Sequence, residues 1–174
     1  IDDENKWTNK KLSFLKPLEK KIFNEIKGKI KEEDTSIPQK DGNWFYYSET
    51  KKNKEYSILR RYKSTTTRKN SLIYHDWNKE SIPYKYFKPG GAHNSNNHNL
   101  LAWSYDDKGS EFYKIKIKNL NQKKHLTDKI SETDGSVIWE TDDTGFYYIK
   151  MYKNHRPSCL CFQFLGTHQD QDIE

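Results

Sequence analysis

The residues of this chain whose types could do chemistry are few. They are Cys159 and Cys161, the aspartate pairs Asp106-Asp107 and Asp142-Asp143, six histidines and two Gly-Ser steps. A serine hydrolase needs its nucleophile raised on a strained G-x-S-x-G turn, where the hydroxyl meets a histidine base. No such pentad occurs; Gly109-Ser110 and Gly135-Ser136 lack the second glycine and read as hairpin turns. No serine, aspartate and histidine combine into a triad on any pattern in these residues.

Metal chemistry has one candidate. Cys159-Leu160-Cys161 puts two sulfurs on one face of a strand, with His155 nearby. Zinc takes four ligands, ordinarily from two separated pairs, so a lone C-x-C reads as two small apolar strand residues. Same-face neighbours on one strand are also poorly placed for a disulfide. His75, His93, His98, His125 and His168 show no H-x-H or H-E-x-x-H spacing and read as surface or turn residues. Neighbouring aspartates on a strand point apart, and Asp near Gly is turn chemistry. Gly90-Gly91 after Pro89 is a turn, and no phosphate-cradling glycine loop is present. The expectation is a chain with no catalytic residue, no metal ligand and no cofactor of its own.

Charge narrows the partners. The 174 residues carry a net charge of +6, with lysine dominant and arginine only at Arg60, Arg61, Arg68 and Arg156. Nucleic-acid binders concentrate charge in a patch and use arginine forks. Here lysine is spread along every segment, which reads as a solvated surface with no nucleic-acid partner. Aromatics beside lysines could stack single-stranded bases, but their positions follow strand periodicity and point to a core. No signal peptide is visible after Ile1, and no run approaches the ~18 apolar residues of a membrane span. With only two cysteines, a cytoplasmic protein without a membrane partner is expected.

The elements that must position these residues change period at residue 36. Over 1–35 the chain reads as helical: Leu15, Leu18, Ile22, Ile26 and Ile30 recur at spacings of three and four, and Pro17 suits a first helical turn. Pro38 and Asp41-Gly42 then break the helix. Aromatic strands follow at 44–48, 55–63 and 70–78, then at 85–91, 100–104, 111–119 and 123–128, and finally at 135–140, 145–152 and 158–165. In 111–119, Tyr113, Ile115 and Ile117 point one way and Lys114, Lys116 and Lys118 the other, as in a half-buried antiparallel strand. Three polar turns, each followed at once by an aromatic strand, recur as KDGNWFYYS (40–48), SNNHNLLAWS (95–104) and TDDTGFYYIK (141–150). Their spacing of roughly fifty residues is that of a propeller blade. The fold class expected is mainly β with an N-terminal helix: a partial β-propeller of about two and a half blades. The helical segment would span 1–35 and the propeller 36–174, with blades at about 36–82, 83–131 and 132–174. Hydrophobic residues make up only 32% of the chain, and an open ring leaves blade faces bare. The isolated chain is therefore expected to be marginally stable or to aggregate.

The segments EIKGKIKEEDTSIPQKDGNWFYYSE (25–49), NKEYSILRRYKS (53–64), LLAWSYDDKGSEFYKIKIKNL (100–120) and VIWETDDTGFYYIK (137–150) carry a family likeness. In that order, and over nearly the whole chain, they resemble the N-terminal part of the prolyl oligopeptidase family, in its oligopeptidase B (protease II) branch. The resemblance implies a seven-bladed propeller that caps an α/β-hydrolase domain and admits only short peptides. It implies a cytosolic serine endopeptidase cutting after Lys or Arg, with short basic peptides as substrates and the hydrolase domain, carrying the triad, beyond Glu174. The family favours Ser-Pro-Asp-Gly or Ser-Pro-Asp-Asn in the second blade's turn; this chain has Ser95-Asn96-Asn97-His98-Asn99 instead. Three other readings stay open on the residues alone: a stand-alone binding module, the relic of a split peptidase gene and, weakest, a basic RNA or DNA binder whose affinity would fall steeply with salt.

Overall fold

A computed structural model describes residues 1–174. The chain opens with α1 (Asp2–Lys11), one 3-10 turn at Ser13–Leu15, and α2 (Lys16–Gly28). The helical stretch read over 1–35 is thus broken into two helices and stops seven residues early. Proline explains the break: Pro17 has no N–H to return to the carbonyl of Ser13, so it sits at the first turn of α2. Ser13 adds to it by donating its hydroxyl to the Lys10 carbonyl at 2.9 Å. The apolar stripe forms as its spacing requires, but it meets nothing. Leu18, Ile22, Phe23 and Ile26 all remain about half exposed or more.

The rest is antiparallel sheet. β1 (Asp34–Thr35) and β2 (Gln39–Asp41) both pair with β3 (Trp44–Thr50), which pairs with β4 (Ile58–Lys63), which pairs with β5 (Leu72–Asp76). β1 and β2 are too short and too polar to stand out in the sequence. Gly42, at φ +52°, makes the tight turn into β3. β5 stops because the Asp76 carboxylate accepts from the Asn78 N–H at 3.1 Å and so caps a short helix, α3 (Trp77–Ser81). The sequence reading had strand to residue 78. The second blade is an up-and-down meander: β6 (Lys88–Asn94), β7 (Leu100–Asp106), β8 (Tyr113–Asn119) and β9 (Lys124–Thr133). A third group follows, with β10 (Ile138–Trp139) and β12 (Pro157–Phe164) on either side of β11 (Gly145–Met151). One residue pair, Thr133↔Lys150, joins it to the second blade. The fold is mostly β, a partial propeller behind an N-terminal helical segment.

Two clusters show why the second blade is the centre of the structure. On β7, Leu101, Trp103 and Tyr105 face the first blade, packing with its Trp77 and with Phe87 and Leu120 of their own blade. Ala102, on the alternate face of β7, joins Ile115, Ile117 and Ile130 against Phe146, Tyr148 and Cys161 of the third group. Period-two alternation therefore buries both faces of this sheet, because each face meets another blade. Trp103 is fully buried; replacing such a side chain with alanine costs about 3–5 kcal/mol.

The lysines of β8 do not lie in open water as a solvated face would. Lys116 is paired with Trp103 in register and shares its face. Its ammonium lies 4.9 Å from the Tyr105 ring centre and 5.3 Å from that of Trp103, and it donates to the Tyr84 hydroxyl at 3.1 Å. The stem covers apolar surface while the charge rests on ring faces.

Candidate functional site

The groups with the most unusual surroundings lie in the seam between the first and second blades. His75 comes from β5 and is completely buried. Its ring packs 4.3 Å from Trp77 and 5.1 Å from Trp103, centre to centre. Neither of its nitrogens has a hydrogen-bond partner, nor does the indole N–H of Trp103. Burial holds the imidazole neutral, with its pKa pushed down to about 3, and the nearby Lys118 charge acts in the same direction. Sequence spacing gave no sign of this, because burial here depends on β7 arriving from the second blade.

Beside it, the Glu80 carboxylate of α3 lies 3.4 Å from His125 Nε2 and 3.9 Å from Lys118 Nζ. Burial would raise Glu80, but the hydrogen bond from His125 and the surrounding positive charges outweigh it and hold the carboxyl low. Burial also lowers Lys118, against the opposing pull of Glu80. At the other end of the seam, Arg61 lies 4.1 Å from the Trp44 ring centre and donates to the His98 carbonyl at 2.6 Å. His98 Nδ1 is hydrogen-bonded to the Tyr46 hydroxyl at 2.9 Å. The turn at 95–99 thus supplies a latch between blades. The neighbouring Tyr74 phenol is pushed up to about 12, mainly by burial.

The second and third blades are latched by Asp143. Its carboxylate accepts from the backbone N–H groups of Asn96 and Asn97, at 2.7 and 2.8 Å, and from the Asn96 side chain at 2.9 Å. Its turn role is as read, with φ +60°, but the link across 46 and 47 residues was not legible. Trp139 Nε1–H donates to the His93 carbonyl at 2.9 Å in the same seam. Asp106 is a closed turn: its oxygens accept from the N–H groups of Lys108, Gly109 and Glu111. Asp107 points elsewhere, to Lys114 at 2.6 Å.

The Gly-Ser steps are turns in the structure. Gly109 and Gly135 have φ of +74° and +88°, and the Ser136 hydroxyl donates to Asp134 at 2.6 Å. The two cysteine sulfurs share a face of β12 and lie 3.4 Å apart. One Glu174 carboxylate oxygen joins them within a 4.8 Å cluster. Burial, reinforced by Cys159, pushes the Cys161 thiol up to about 11. His155, read as nearby, packs instead on Phe112 at 4.4 Å. No helix is long and apolar enough to cross a membrane.

Comparison with known proteins gives one consistent answer. The family model described as "Prolyl oligopeptidase, N-terminal beta-propeller domain" matches residues 1–174. Dipeptidyl aminopeptidase BI of Pseudoxanthomonas mexicana is 26% identical over 163 residues, covering 86% of this chain and 22% of that protein. Protease 2 of Moraxella lacunata is 24% identical over 179 residues, covering 99% and 26%. Among solved structures, oligopeptidase B of Leishmania major superposes with a TM-score of 0.89 at 24% identity, covering 95% of this chain and 24% of that one. Oligopeptidase B of Trypanosoma brucei with covalently bound antipain gives 0.88 at 26% identity, covering 98% and 24%. The chain spans about a quarter of the length of the relatives it matches.

Proposed function

Because the chain belongs to the prolyl oligopeptidase family, as its N-terminal β-propeller domain, we propose that it serves an oligopeptidase B-like serine endopeptidase as the substrate-filtering part. The carrying observation is the likeness to oligopeptidase B along 98% of the chain at a TM-score of 0.88. In this reading the propeller restricts entry to short peptides, and cleavage after Lys or Arg occurs in an α/β-hydrolase domain of the same protein. Residues 1–174 contribute no catalytic group. The blade limits near 36–82, 83–131 and 132–174 and a cytoplasmic location belong to the same proposal.

The bare apolar stripe on α2 supports a docking role. An exposed row of Leu18, Ile22 and Ile26 is what a segment seated on another domain would present. The relatives are about four times the length of this chain; the hydrolase domain is the proposed seat.

The test is the native polypeptide, captured from its source with an antibody to residues 1–35. An intact mass several times 20.9 kDa, with hydrolysis of Lys- and Arg-ester substrates blocked by a serine-reactive phosphonate, is expected. A mass near 20.9 kDa would instead favour a stand-alone interaction module. For that second reading the same exposed stripe would be the contact surface.

A further inference from the structure

The seam that buries His75 also opens into a cavity of about 560 Å³, bounded by β4, β5, α3 and the end of β8. Five cationic side chains line it, Arg60, Arg61, Lys79, Lys118 and Lys123, against two carboxylates, Asp76 and Glu80. The two carboxylates are already engaged. Asp76 accepts from Asn78, and Glu80 lies between His125 and Lys118. The arginines are engaged as well: Arg60 with Glu49 at 3.1 Å, and Arg61 with the His98 carbonyl. Lys79 and Lys123 have no ion-pair partner, and Lys118, with a side chain only 17% exposed, has one at the long distance of 3.9 Å. His75, also in the lining, holds a neutral ring whose N–H has no acceptor.

The lining thus offers donors and positive charge in excess of its own acceptors, with Lys118 largely shielded from water and Lys79 and Lys123 exposed at the rim. The Lys118 charge is screened less there than on an open surface. The size falls within the range of small-molecule sites, larger than a bare phosphate needs. Leu72, Ile73, Tyr74 and Leu120 supply apolar lining for an organic body. We propose that the cavity between the first two blades binds a small organic anion carrying more than one phosphate or carboxylate group. Lys118, Lys123 and Lys79 would neutralise its charge, while His75, completely buried behind them, forms part of the wall. This goes beyond the peptidase reading and does not depend on it, since every residue invoked lies in this chain.

The experiment is a titration of the intact protein carrying these residues, with inorganic pyrophosphate and with a hexose bisphosphate. Binding is read from the fluorescence of Trp77 and Trp103 and from calorimetry, at fixed ionic strength. One saturable site is expected, tighter for the hexose bisphosphate because the apolar lining is used. The double variant Lys118→Gln/Lys123→Gln should weaken it at least tenfold. Lys20→Gln/Lys21→Gln, which removes the same charge from α2, should leave it within twofold. Should the double variant misfold, Lys123→Gln alone, at an exposed and unpaired side chain, should still weaken binding about threefold. Absence of saturable binding overturns the proposal. So does equal weakening in the α2 variant, which would mean diffuse attraction to a basic chain.

Discussion

Acidification should loosen the seam at His75 before it disturbs the rest of the propeller. Free in an unfolded chain, a histidine takes up its proton near pH 6.5; here, burial holds that event down to about 3. Between those values the unfolded chain binds the extra proton and the folded one does not. The stability tied to a neutral His75 is therefore complete above pH 6.5. It is lost as pH falls, by about 1.4 kcal/mol per unit, until roughly pH 3. Between pH 8 and pH 5 the loss is about 2 kcal/mol, or a factor of about 30 in the opening equilibrium. Hydrogen exchange of peptides covering β5 and β7, corrected for intrinsic rates, reads that opening directly. His75→Phe keeps a flat ring against Trp77 and Trp103 and removes the titrating group and both unpartnered nitrogens. Its protection should be nearly level across this range. His93, lowered by burial in the same direction, is present in both proteins and cancels in the comparison. If the variant loses protection as steeply as the parent, His75 is not the cause and its surroundings have been misread.

Three further outcomes are expected. Asp143→Ala, which strands the N–H groups of Asn96 and Asn97, should destabilise the seam between the second and third blades by about 2–3 kcal/mol. Asp143→Asn, which tolerates the left-handed backbone and keeps one acceptor, should cost less than half as much; exchange rates at 95–99 check both. Gly135→Ala should cost about 2–4 kcal/mol, seen as a lower Tm. At φ +88° its new Cβ would meet Tyr113 Cγ at 2.9 Å and Ser104 Oγ at 3.0 Å. Ile22→Asp/Ile26→Asp should leave the propeller's own exchange pattern unchanged, because both side chains are exposed. In the intact protein it should reduce peptidase activity through weaker domain docking; equal activity would remove α2 from that role.

Much of the architecture is legible in the amino-acid sequence. Ten strands and their order follow from aromatic and β-branched runs bounded by Asn, Asp and Gly, and Pro17 correctly marks the start of a helix. β1 and β2 escaped notice because Asp34–Thr35 and Gln39–Asp41 carry no apolar alternation; only their pairing with β3 makes them strands. The helical turn after Asp76 was read as strand because Trp77 looks like a strand residue, whereas a single carboxylate cap decided the matter. The carboxylate pairs were read correctly as turns, since that behaviour is set by residues next to them.

What sequence alone determined is therefore what local sterics and period enforce: where strands alternate, where the chain turns, and which helix face is apolar. Tertiary structure decided what each face meets. The same two-residue period buries both sides of β7 while the equally clear stripe on α2 stays bare, because burial needs a second surface and periodicity names only the first. His75, Lys116 and Asp143 each depend on at least one partner 28 to 47 residues away. Contacts at that separation are chosen by how whole blades stack, and no short window of residues records the choice.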